Sequence, residues 1–330
     1  MSAAPLTADQ IALLEKQLQL KEQLRGNPAA SFLAINQLEK AEFDRIMQLA
    51  HAIKARPEQY LDALKGKKIA LLFQKTSTRT KESFLTGAHE LGMMASYIDW
   101  QKSNFTLSEL EDEIKVLSQW YDVIMARVYD HQDLLTMRAY SEVPVINGLC
   151  NFYHPCQALA DLQTIQEYFG ISMGNLKLTY VGDGNNVCNS LIEAAALAGI
   201  GDIAIATPAL PKHQPLAQSL EFARQRTHCA WMDDVAKAVE GANIVYTDTW
   251  VSMGQEAETR EREAIFHHFR ITGAVMAKAS PHCIFMHDMP AHPGKEVDAD
   301  VLRGYRSVVF QQAQNRKHAQ KALLYHMLAS

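Results

Sequence analysis

Residues 77–80 of the chain, in the order serine, threonine, arginine and threonine, form the stretch whose side chains best suit chemistry. They follow the apolar run 69–73, which predicts a buried strand, and they precede residues 81–84, which predict the first turns of a helix. A helix N-terminus offers free N–H groups and a partial positive charge, and hydroxyl and guanidinium groups add donors for phosphate oxygens. This turn therefore predicts an anion pocket, and an ordinary helix cap beside a surface arginine is the alternative.

Further polar side chains follow other predicted strands or begin predicted helices. They are Arg127, His154, Gln157, Asn186, Asp248, Ser252, His287 and Arg316. In open parallel sheets ligands bind beyond the carboxyl ends of the strands, so we expect these residues near one site. His154 and Gln157 share one face of a helix start, where the histidine can donate to a carbonyl oxygen and the glutamine can accept from an amide NH2. The alternatives are structural: a surface ion pair for Arg127 and a satisfied buried histidine at 154.

Alternating strands and helices position these residues. We predict strands at 69–73, 95–98, 123–126, 178–181, 203–206, 244–247 and 283–286. We predict helices at 8–25, 40–55, 80–92, 107–120, 155–169 and 190–198, and a loop at 99–106. This alternation predicts an α/β fold class with two doubly wound parallel-sheet domains, joined in the helix that starts near Pro155.

The bulk composition excludes several classes of protein. The chain has 330 residues, of which 48% are hydrophobic and 21% charged, as expected for a globular protein of two domains. The net charge of −5 predicts no nucleic-acid partner, and no apolar run is long enough to predict a membrane span. Five cysteines without C-x-x-C spacing predict free thiols and a cytoplasmic location, and the thirteen histidines lack the H-E-x-x-H pattern of a metal site.

Seven separated blocks occur in the order found in carbamoyltransferases. They are QKTSTRT at 74–80, MARVY at 125–129, VINGLCNFYHPCQALAD at 145–161, VGDGNN at 181–186, DTWVSMGQE at 248–256, HDMPAH at 287–292 and NRKH at 315–318. From about residue 31 to its end, the chain therefore resembles the aspartate/ornithine carbamoyltransferase superfamily, and within it the ornithine carbamoyltransferases.

The resemblance implies both architecture and reaction. Residues 1–160 would bind carbamoyl phosphate, residues 161–311 would bind the amino acid, and a helix at 312–330 would pack back on the first domain, with the active site in the cleft between the two. The implied reaction moves the carbamoyl group to the side-chain amine of L-ornithine, giving L-citrulline and phosphate. The family forms homotrimers with shared active sites, to which a neighbour's loop around 100–105 would contribute, and it needs no cofactor.

The resemblance also implies roles residue by residue. The residues that it implies for binding carbamoyl phosphate are Ser77, Thr78, Arg79, Thr80, Arg127, His154, Gln157 and Arg316. The residues that it implies for binding ornithine are Asn186, Asp248, Ser252, Met253, Asp288 and Met289. Among them, Asp248 would bind the α-ammonium group. The catalytic group is Arg127, His154, Asp288 and Arg316. Donors that converge on the oxygen that becomes anionic would act by electrostatic preorganisation, without a metal or a covalent intermediate.

The chain departs from the family at two places. Residues 287–290 read H-D-M-P where the family reads H-C-L-P, and that cysteine normally lies close to the reacting amine. Asp288 is therefore expected to face the amine and to accept its proton or hold a cationic group; an aspartate turned to solvent is the alternative. The second departure is the loop 99–106, in which Trp100 or Phe105 would either enter a neighbouring site, as in acylornithine enzymes, or pack at an interface.

Other functions fit the same residues. The acceptor could be lysine, a shorter diamino acid, putrescine or an acylated ornithine, and the chain could also be a non-catalytic paralogue that binds a metabolite. A nicotinamide-dependent oxidoreductase is suggested by Gly182 and Gly184 after a strand, but Val187 stands where the dinucleotide fingerprint needs a third glycine.

Overall fold

The computed structural model describes residues 31–251 and 256–329, and two parallel sheets form its centre. The first sheet contains β1 (Lys68–Phe73), β2 (Met94–Asp99), β3 (Val123–Arg127) and β4 (Val145–Leu149) in the order β2-β1-β3-β4. The second contains β5 (Lys177–Val181), β6 (Asp202–Ala206), β7 (His228–Met232), β8 (Ile244–Thr247) and β9 (Ile284–His287) in the order β7-β6-β5-β8-β9. The predicted α/β class with two parallel sheets is confirmed.

Helices follow nearly every strand, as parallel crossover connections require. They are α1 (Lys40–Ala55), α2 (Thr78–Glu90), α3 (Leu110–Ser118), α4 (His131–Tyr140), α5 (Pro155–Phe169), α6 (Asn186–Ala198), α7 (Ala217–Arg224), α8 (Val235–Val239), α9 (Thr259–Phe266), α10 (Gly273–Met276), α11 (Ala299–Leu302) and α12 (Val309–Leu328). The predicted loop at 99–106 is wrong in part, because it contains two short 3₁₀ helices, Trp100–Lys102 and Asn104–Thr106. The predicted helix at 8–25 and the site residues Ser252 and Met253 lie outside the described residues.

Each sheet has a point where the strand order reverses, between β1 and β3 in the first sheet and between β5 and β8 in the second. Crossover helices leave on opposite faces at such a point, so a crevice opens beyond the carboxyl ends of the two strands. The predicted anion turn and Arg127 lie at the first crevice, and Asp248 lies at the second. The topology therefore places the two sets of predicted residues at the sheet edges where ligands bind.

The core runs without a break from one sheet to the other. One cluster of buried apolar side chains extends from Ile69 in β1, through Leu162 in α5, to Leu178 in β5. The last helix, α12, packs against α1, α2 and α5 and also contacts β9. The predicted domain boundary at 160/161 falls inside the continuous helix α5 and stays a prediction.

Two ion pairs of one partly exposed glutamate, Glu90, join α12 to α2. Glu90 accepts from Lys317 at 2.5 Å and from Lys321 at 2.7 Å, and the Lys321 side chain is fully buried. Burial works against ionisation of Glu90, but the bonds from Lys317 and Lys321 lower its pKa below the usual value. Glu90 therefore stabilises the fold at neutral pH, and this contribution is lost as the pH falls through the lowered pKa.

Replacing Glu90 with glutamine is expected to lower the free energy of unfolding by about 3 kcal/mol, because the charge of Lys321 would stay buried without its partner. Urea unfolding at pH 7 measures the change. The control is Glu82→Gln on the exposed side of the same helix, whose 3.7 Å contact with Lys81 should contribute less than about 0.5 kcal/mol. Equal losses in the two variants would contradict the assignment.

The described part of the chain contains no helix that is both long enough and apolar enough to cross a membrane. All five cysteines are buried free thiols.

Candidate active site

The turn after β1 leads into a capped helix, as the predicted anion site requires. Ser77 has an extended backbone and caps α2, because its Oγ accepts a hydrogen bond from the Thr80 N–H at 3.3 Å. The other N–H groups of the first turn have no acceptor within the helix and carry the positive end of its dipole. The turn therefore offers donors to an anion, as the sequence predicts.

Three arginines surround this turn. Thr80 Oγ1 accepts from Arg127 Nη1 at 3.3 Å and from Arg316 Nη2 at 2.8 Å, so one hydroxyl holds both guanidinium groups. The Nε atoms of Arg79, Arg127 and Arg316 are buried and have no hydrogen-bond partner among the described residues. Burial and the neighbouring charge of Arg316 lower the pKa of Arg127 to about 9. Such crowding of buried cations is costly unless an anion binds between them.

His154 and Gln157 lie where the first sheet leads into α5. His154 occupies the N-cap position of this helix ahead of Pro155, without a side-chain cap bond, and its backbone N–H donates to Ser190 Oγ at 2.8 Å. Burial, followed by the charges of Arg316 and Arg127, holds the pKa of His154 well below 6.5, so the ring is neutral at pH 7. Gln157 is buried one helical turn further along and donates through Nε2 to Asp161 at 2.8 Å.

A cavity of about 520 Å³ joins the carboxyl ends of the two sheets. The predicted residues that line it are Ser77, Thr78, Arg79, Arg127, His154, Asn186, Asp248, Asp288, Met289 and Arg316. Thr80 and Gln157 are buried and do not line it, but each adjoins residues that do: Thr80 bonds to Arg127 and Arg316, and Gln157 lies one helical turn from His154. The structure thus brings ten predicted residues together in one cavity, between a wall of arginines and a wall that carries aspartates.

Asp248 is held at the second crevice by the residues around it. Asn185 Nδ2 donates to one carboxylate oxygen of Asp248 at 2.6 Å, and the Thr249 N–H donates to the other at 2.6 Å. Asn185 also caps α6 by accepting from the N–H groups of Val187 and Cys188. The cap of a helix and the orientation of the carboxylate are therefore fixed by the same side chain.

Asp248 and Asp288 form a close pair of carboxyl groups. Together with His287 they place one ligand atom each within 4.8 Å of one another, and Asp288 lies 3.4 Å from His287 Nδ1. Burial and the charge of Asp288 raise the pKa of Asp248 well above 3.8. Burial opposes ionisation of Asp288 too, but its contacts with His287 and Asp248 lower its pKa to about 2. The two carboxyl groups therefore titrate as a coupled pair, in which ionisation of one opposes ionisation of the other.

Two regions of the chain match the two domains of one protein family. Residues 30–167 match "Aspartate/ornithine carbamoyltransferase, carbamoyl-P binding domain" and residues 174–327 match "Aspartate/ornithine carbamoyltransferase, Asp/Orn binding domain". The chain belongs to the aspartate/ornithine carbamoyltransferase family. The arginine-lined side of the cavity lies in the first matched region, apart from Arg316, and both aspartates lie in the second.

Individual members of this carbamoyltransferase family are similar over most of their length. Ornithine carbamoyltransferase of Carboxydothermus hydrogenoformans is 43% identical over 90% of this chain and 97% of its own length. The anabolic ornithine carbamoyltransferase of Pyrococcus furiosus is 46% identical over 79% of this chain and 84% of its own length. The solved structure of ornithine carbamoyltransferase from Pyrococcus furiosus superposes with a TM-score of 0.85 at 40% identity, covering 91% of this chain and 97% of that chain.

Asp288 replaces the family's cysteine on the cavity wall. Only 12% of its side chain is exposed, which excludes the alternative of an aspartate turned to solvent. Its Oδ1 is buried and makes no hydrogen bond to the described residues, although it lies 3.4 Å from His287 Nδ1. Asp288 therefore has an acceptor left for a ligand.

The group of Asp248, His287 and Asp288 has the donor types of a metal site, but its histidine is engaged on both sides. His287 Nδ1 accepts from the Met289 N–H at 2.8 Å, and Nε2 lies 3.3 Å from Glu296 Oε1. A metal would have to displace one of these bonds. That no metal is needed stays a prediction.

The unpredicted residues include Lys75, which lines the cavity, and Asn185, which does not line it but contacts Asp248. Burial together with the charge of Arg127 lowers the pKa of Lys75 to about 8. Both residues fall inside blocks that carried the family resemblance, so the signal was present. Trp100 and Phe105 pack on each other with ring centroids 4.8 Å apart and do not line this chain's cavity.

Proposed function

We propose that the chain transfers the carbamoyl group of carbamoyl phosphate to the side-chain amine of L-ornithine, giving L-citrulline and phosphate. The observation that carries the proposal is a single cavity with buried guanidinium groups on one side and Asp248 on the other. An anion and an amino acid would meet between them. Relatives with 40% to 46% identity that carry the name ornithine carbamoyltransferase support this acceptor.

In the proposed mechanism the anion turn at 77–80 and Arg127 bind the phosphate. Arg316 and the neutral ring of His154 donate to the carbamoyl oxygen as it becomes anionic. The amine nitrogen attacks the carbonyl carbon, a C–N bond forms, and the C–O bond to phosphate breaks. Holding both reactants in one cavity supplies much of the rate enhancement without a covalent intermediate.

On the acceptor side Asp248 takes the α-ammonium, and Asn186 with the segment 252–253 holds the carboxylate of the amino acid. Asp248 has to be ionised when the ammonium binds, because a protonated carboxyl group is neutral and forms no ion pair, and the ammonium itself favours the ionised form. Met289 lines the cavity beside Asp288, on the wall that would meet the reacting amine. Asp288 takes the amine proton, which becomes far more acidic once nitrogen has bonded to carbon.

A second acceptor class is favoured by the Asp248–Asp288 pair. Two carboxyl groups side by side would attract a substrate whose second cation reaches Asp288, such as lysine or a shorter diamino acid. Putrescine and acylated ornithine are less suited, since the first lacks the α-carboxylate and the second lacks the α-ammonium group.

The deciding experiment measures ureido product from carbamoyl phosphate with ornithine, lysine, diaminobutyrate, acetylornithine, putrescine and aspartate. We expect kcat/KM for ornithine to exceed every other value by at least about tenfold. Preference for another diamino acid would support the second acceptor class. Absence of product with every amine, together with thermal stabilisation by carbamoyl phosphate, would support a non-catalytic paralogue.

We further propose that the chain acts as a homotrimer in the cytoplasm, in arginine metabolism. The strand β2 is an edge of the first sheet, and Met94 and Tyr97 on it stay partly exposed, which suits an interface. Five free thiols suit a reducing compartment. The relative named as anabolic supports synthesis of citrulline over its breakdown. Sedimentation equilibrium tests the assembly: a mass other than three chains would contradict it.

A buried network anchors the segment that precedes 252–253. Arg262 in α9 donates to the Trp250 carbonyl and to Asp183, and His213 Nδ1 lies 3.0 Å from the same aspartate. Replacing Arg262 with leucine should raise the KM for ornithine about tenfold, because the segment around Trp250 on the proposed amino-acid side of the cavity loses its anchor. The KM for carbamoyl phosphate should stay within about twofold, because the arginine-lined side of the cavity is unchanged. The control is Arg260→Leu, an exposed arginine of the same helix. An equal change in both KM values would contradict this role.

A further inference from the structure

A chain of buried hydrogen bonds connects the strand end that carries Asp288 to Gln157. The backbone N–H of His287 donates to Gln312 Oε1 at 3.0 Å. Gln312 Nε2 then donates to Asp161 Oδ1 at 2.7 Å, and Gln157 Nε2 donates to the same oxygen at 2.8 Å. His287, Gln312, Asp161 and Gln157 are at most 1% exposed, so water does not compete for these bonds.

The donor and acceptor order in this series of hydrogen bonds fixes the orientation of both glutamine amide groups. A backbone N–H can only donate, so it requires the oxygen of Gln312 and turns the Gln312 NH2 toward Asp161. A carboxylate oxygen accepts from both amides and would repel an amide oxygen, so Gln157 also has to present its NH2 there. The orientation of Gln157 therefore follows from Asp161 and from a backbone N–H.

The orientation does not depend on the charge of Asp161. Its second oxygen, Oδ2, accepts from the Tyr246 hydroxyl at 3.2 Å. Burial raises the pKa of Asp161 to about 7, so both protonation states occur near neutral pH. Because Oδ1 already faces two NH2 groups, a proton on Asp161 has room only at Oδ2, where the hydroxyl can accept it. Oδ1 remains an acceptor in either state.

This orientation leaves the amide oxygen of Gln157, on the other side of the same amide group, as an unused acceptor. This oxygen, Oε1, is buried and has no hydrogen-bond partner among the described residues, which is costly unless a ligand or water donates to it. Gln157 lies one helical turn from His154, which lines the cavity. The carbamoyl group differs from other acyl groups in carrying an NH2, and an amide oxygen is a suitable acceptor for that group.

We propose that Asp161 is a positioning residue that keeps the oxygen of Gln157 facing the NH2 of the carbamoyl group. The site thereby selects carbamoyl phosphate over acyl phosphates of the same shape that lack this donor. The inference rests on the proposed function and adds the origin of donor selectivity. Asp161 itself touches no substrate; it acts through Gln157.

The test uses acetyl phosphate, in which a methyl group replaces the NH2, as a competitor in the steady-state assay of the full chain. The quantity of interest is the inhibition constant of acetyl phosphate divided by the KM of carbamoyl phosphate. Replacing Asp161 with leucine should lower this ratio about tenfold, because Gln157 loses the acceptor that orients it. The inhibition constant of inorganic phosphate and the KM of ornithine should change less than about twofold.

Asp161→Asn is the matched variant, since its side-chain oxygen can occupy the Oδ1 position while its NH2 donates to Tyr246. We expect this variant to keep the ratio within about twofold of the wild type. It also tests the inference if the leucine variant fails to fold, because a lost ratio in Asp161→Asn would overturn the role of the acceptor at Oδ1. An unchanged ratio in a folded leucine variant, or a parallel loss of phosphate binding, would overturn it as well.

Failure of this inference is distinguishable from failure of the proposed function. A wild-type chain that forms no ureido product from carbamoyl phosphate would overturn the proposed function itself. A wild-type chain that is active and selective, with variants whose selectivity is unaltered, would overturn only the role of Asp161.

Discussion

Replacing Arg316 with leucine is expected to lower kcat by about 10³-fold. Arg316 is 3% exposed; its guanidinium group donates to Thr80 Oγ1 at 2.8 Å and keeps a buried Nε without a partner among the described residues. Burial lowers the pKa of Arg316, although the charge of Asp288 opposes this effect. In the proposed mechanism this fixed, poorly hydrated cation would lie beside the carbamoyl oxygen and stabilise the negative charge that develops there, without reorganisation during the reaction.

Two further variants separate this effect from a general loss of charge. Arg316→Lys keeps the positive charge but loses the planar fork, so we expect it to recover only part of kcat. Arg303→Leu removes an exposed arginine and should leave kcat within about twofold of the wild type. Steady-state kinetics with saturating carbamoyl phosphate and ornithine measures all three. If Arg316→Leu raised only the KM of carbamoyl phosphate, the residue would bind the ground state and would not act in the transition state.

The site could be predicted from sequence where it depends on local rules. A strand followed by a capped helix places residues 77–80 at an anion site, and the carboxyl ends of parallel strands meet at one sheet edge. These rules bring Arg127 and Asp248 to the cavity although 121 positions separate them. They also predict α6, but the predicted start at Ser190 is wrong: the helix begins at Asn186, because Asn185 caps it.

The contacts between elements could not be predicted, since they depend on how helices and strands pack. Arg316 donates to Thr80, 236 positions away, only because α12 returns to α2. Asp248 and Asp288 become a pair because β8 and β9 are neighbours in the second sheet. By contrast, the bond from Gln157 to Asp161 joins residues four apart on one helix, and this spacing was available in the sequence.

Asp288, paired with Asp248, would place a carboxylate beside the acceptor amine, where the family usually has a cysteine. Asp288 has a pKa lowered to about 2 and is ionised throughout the neutral range. An ionised carboxylate raises the pKa of an ammonium group beside it, so it favours the unreactive form of the acceptor before the reaction. The same carboxylate can take the proton that the nitrogen loses after attack. These two effects oppose each other, and their balance sets the pH dependence.

Replacing Asp288 with asparagine removes both effects and is expected to reveal each in a different pH range. Above the acid limb of the kcat/KM profile for ornithine, we expect a loss of about 10²-fold, because no group takes the proton. The acid limb itself should move about one unit lower, because the acceptor ammonium loses a neighbouring anion and its pKa falls. The loss in kcat/KM should therefore be smaller at low pH than at high pH.

The control for surface charge is Asp300→Asn, an exposed aspartate that should leave the profile unchanged. Asp288→Cys restores the residue that the family usually carries, and its profile should resemble that of the asparagine variant at low pH with a smaller loss at high pH. A pH profile identical to that of the wild type in both Asp288 variants would mean that the carboxylate does not act on the acceptor amine. A uniform loss without a shift would leave Asp288 as a proton acceptor whose charge the substrate ammonium does not sense.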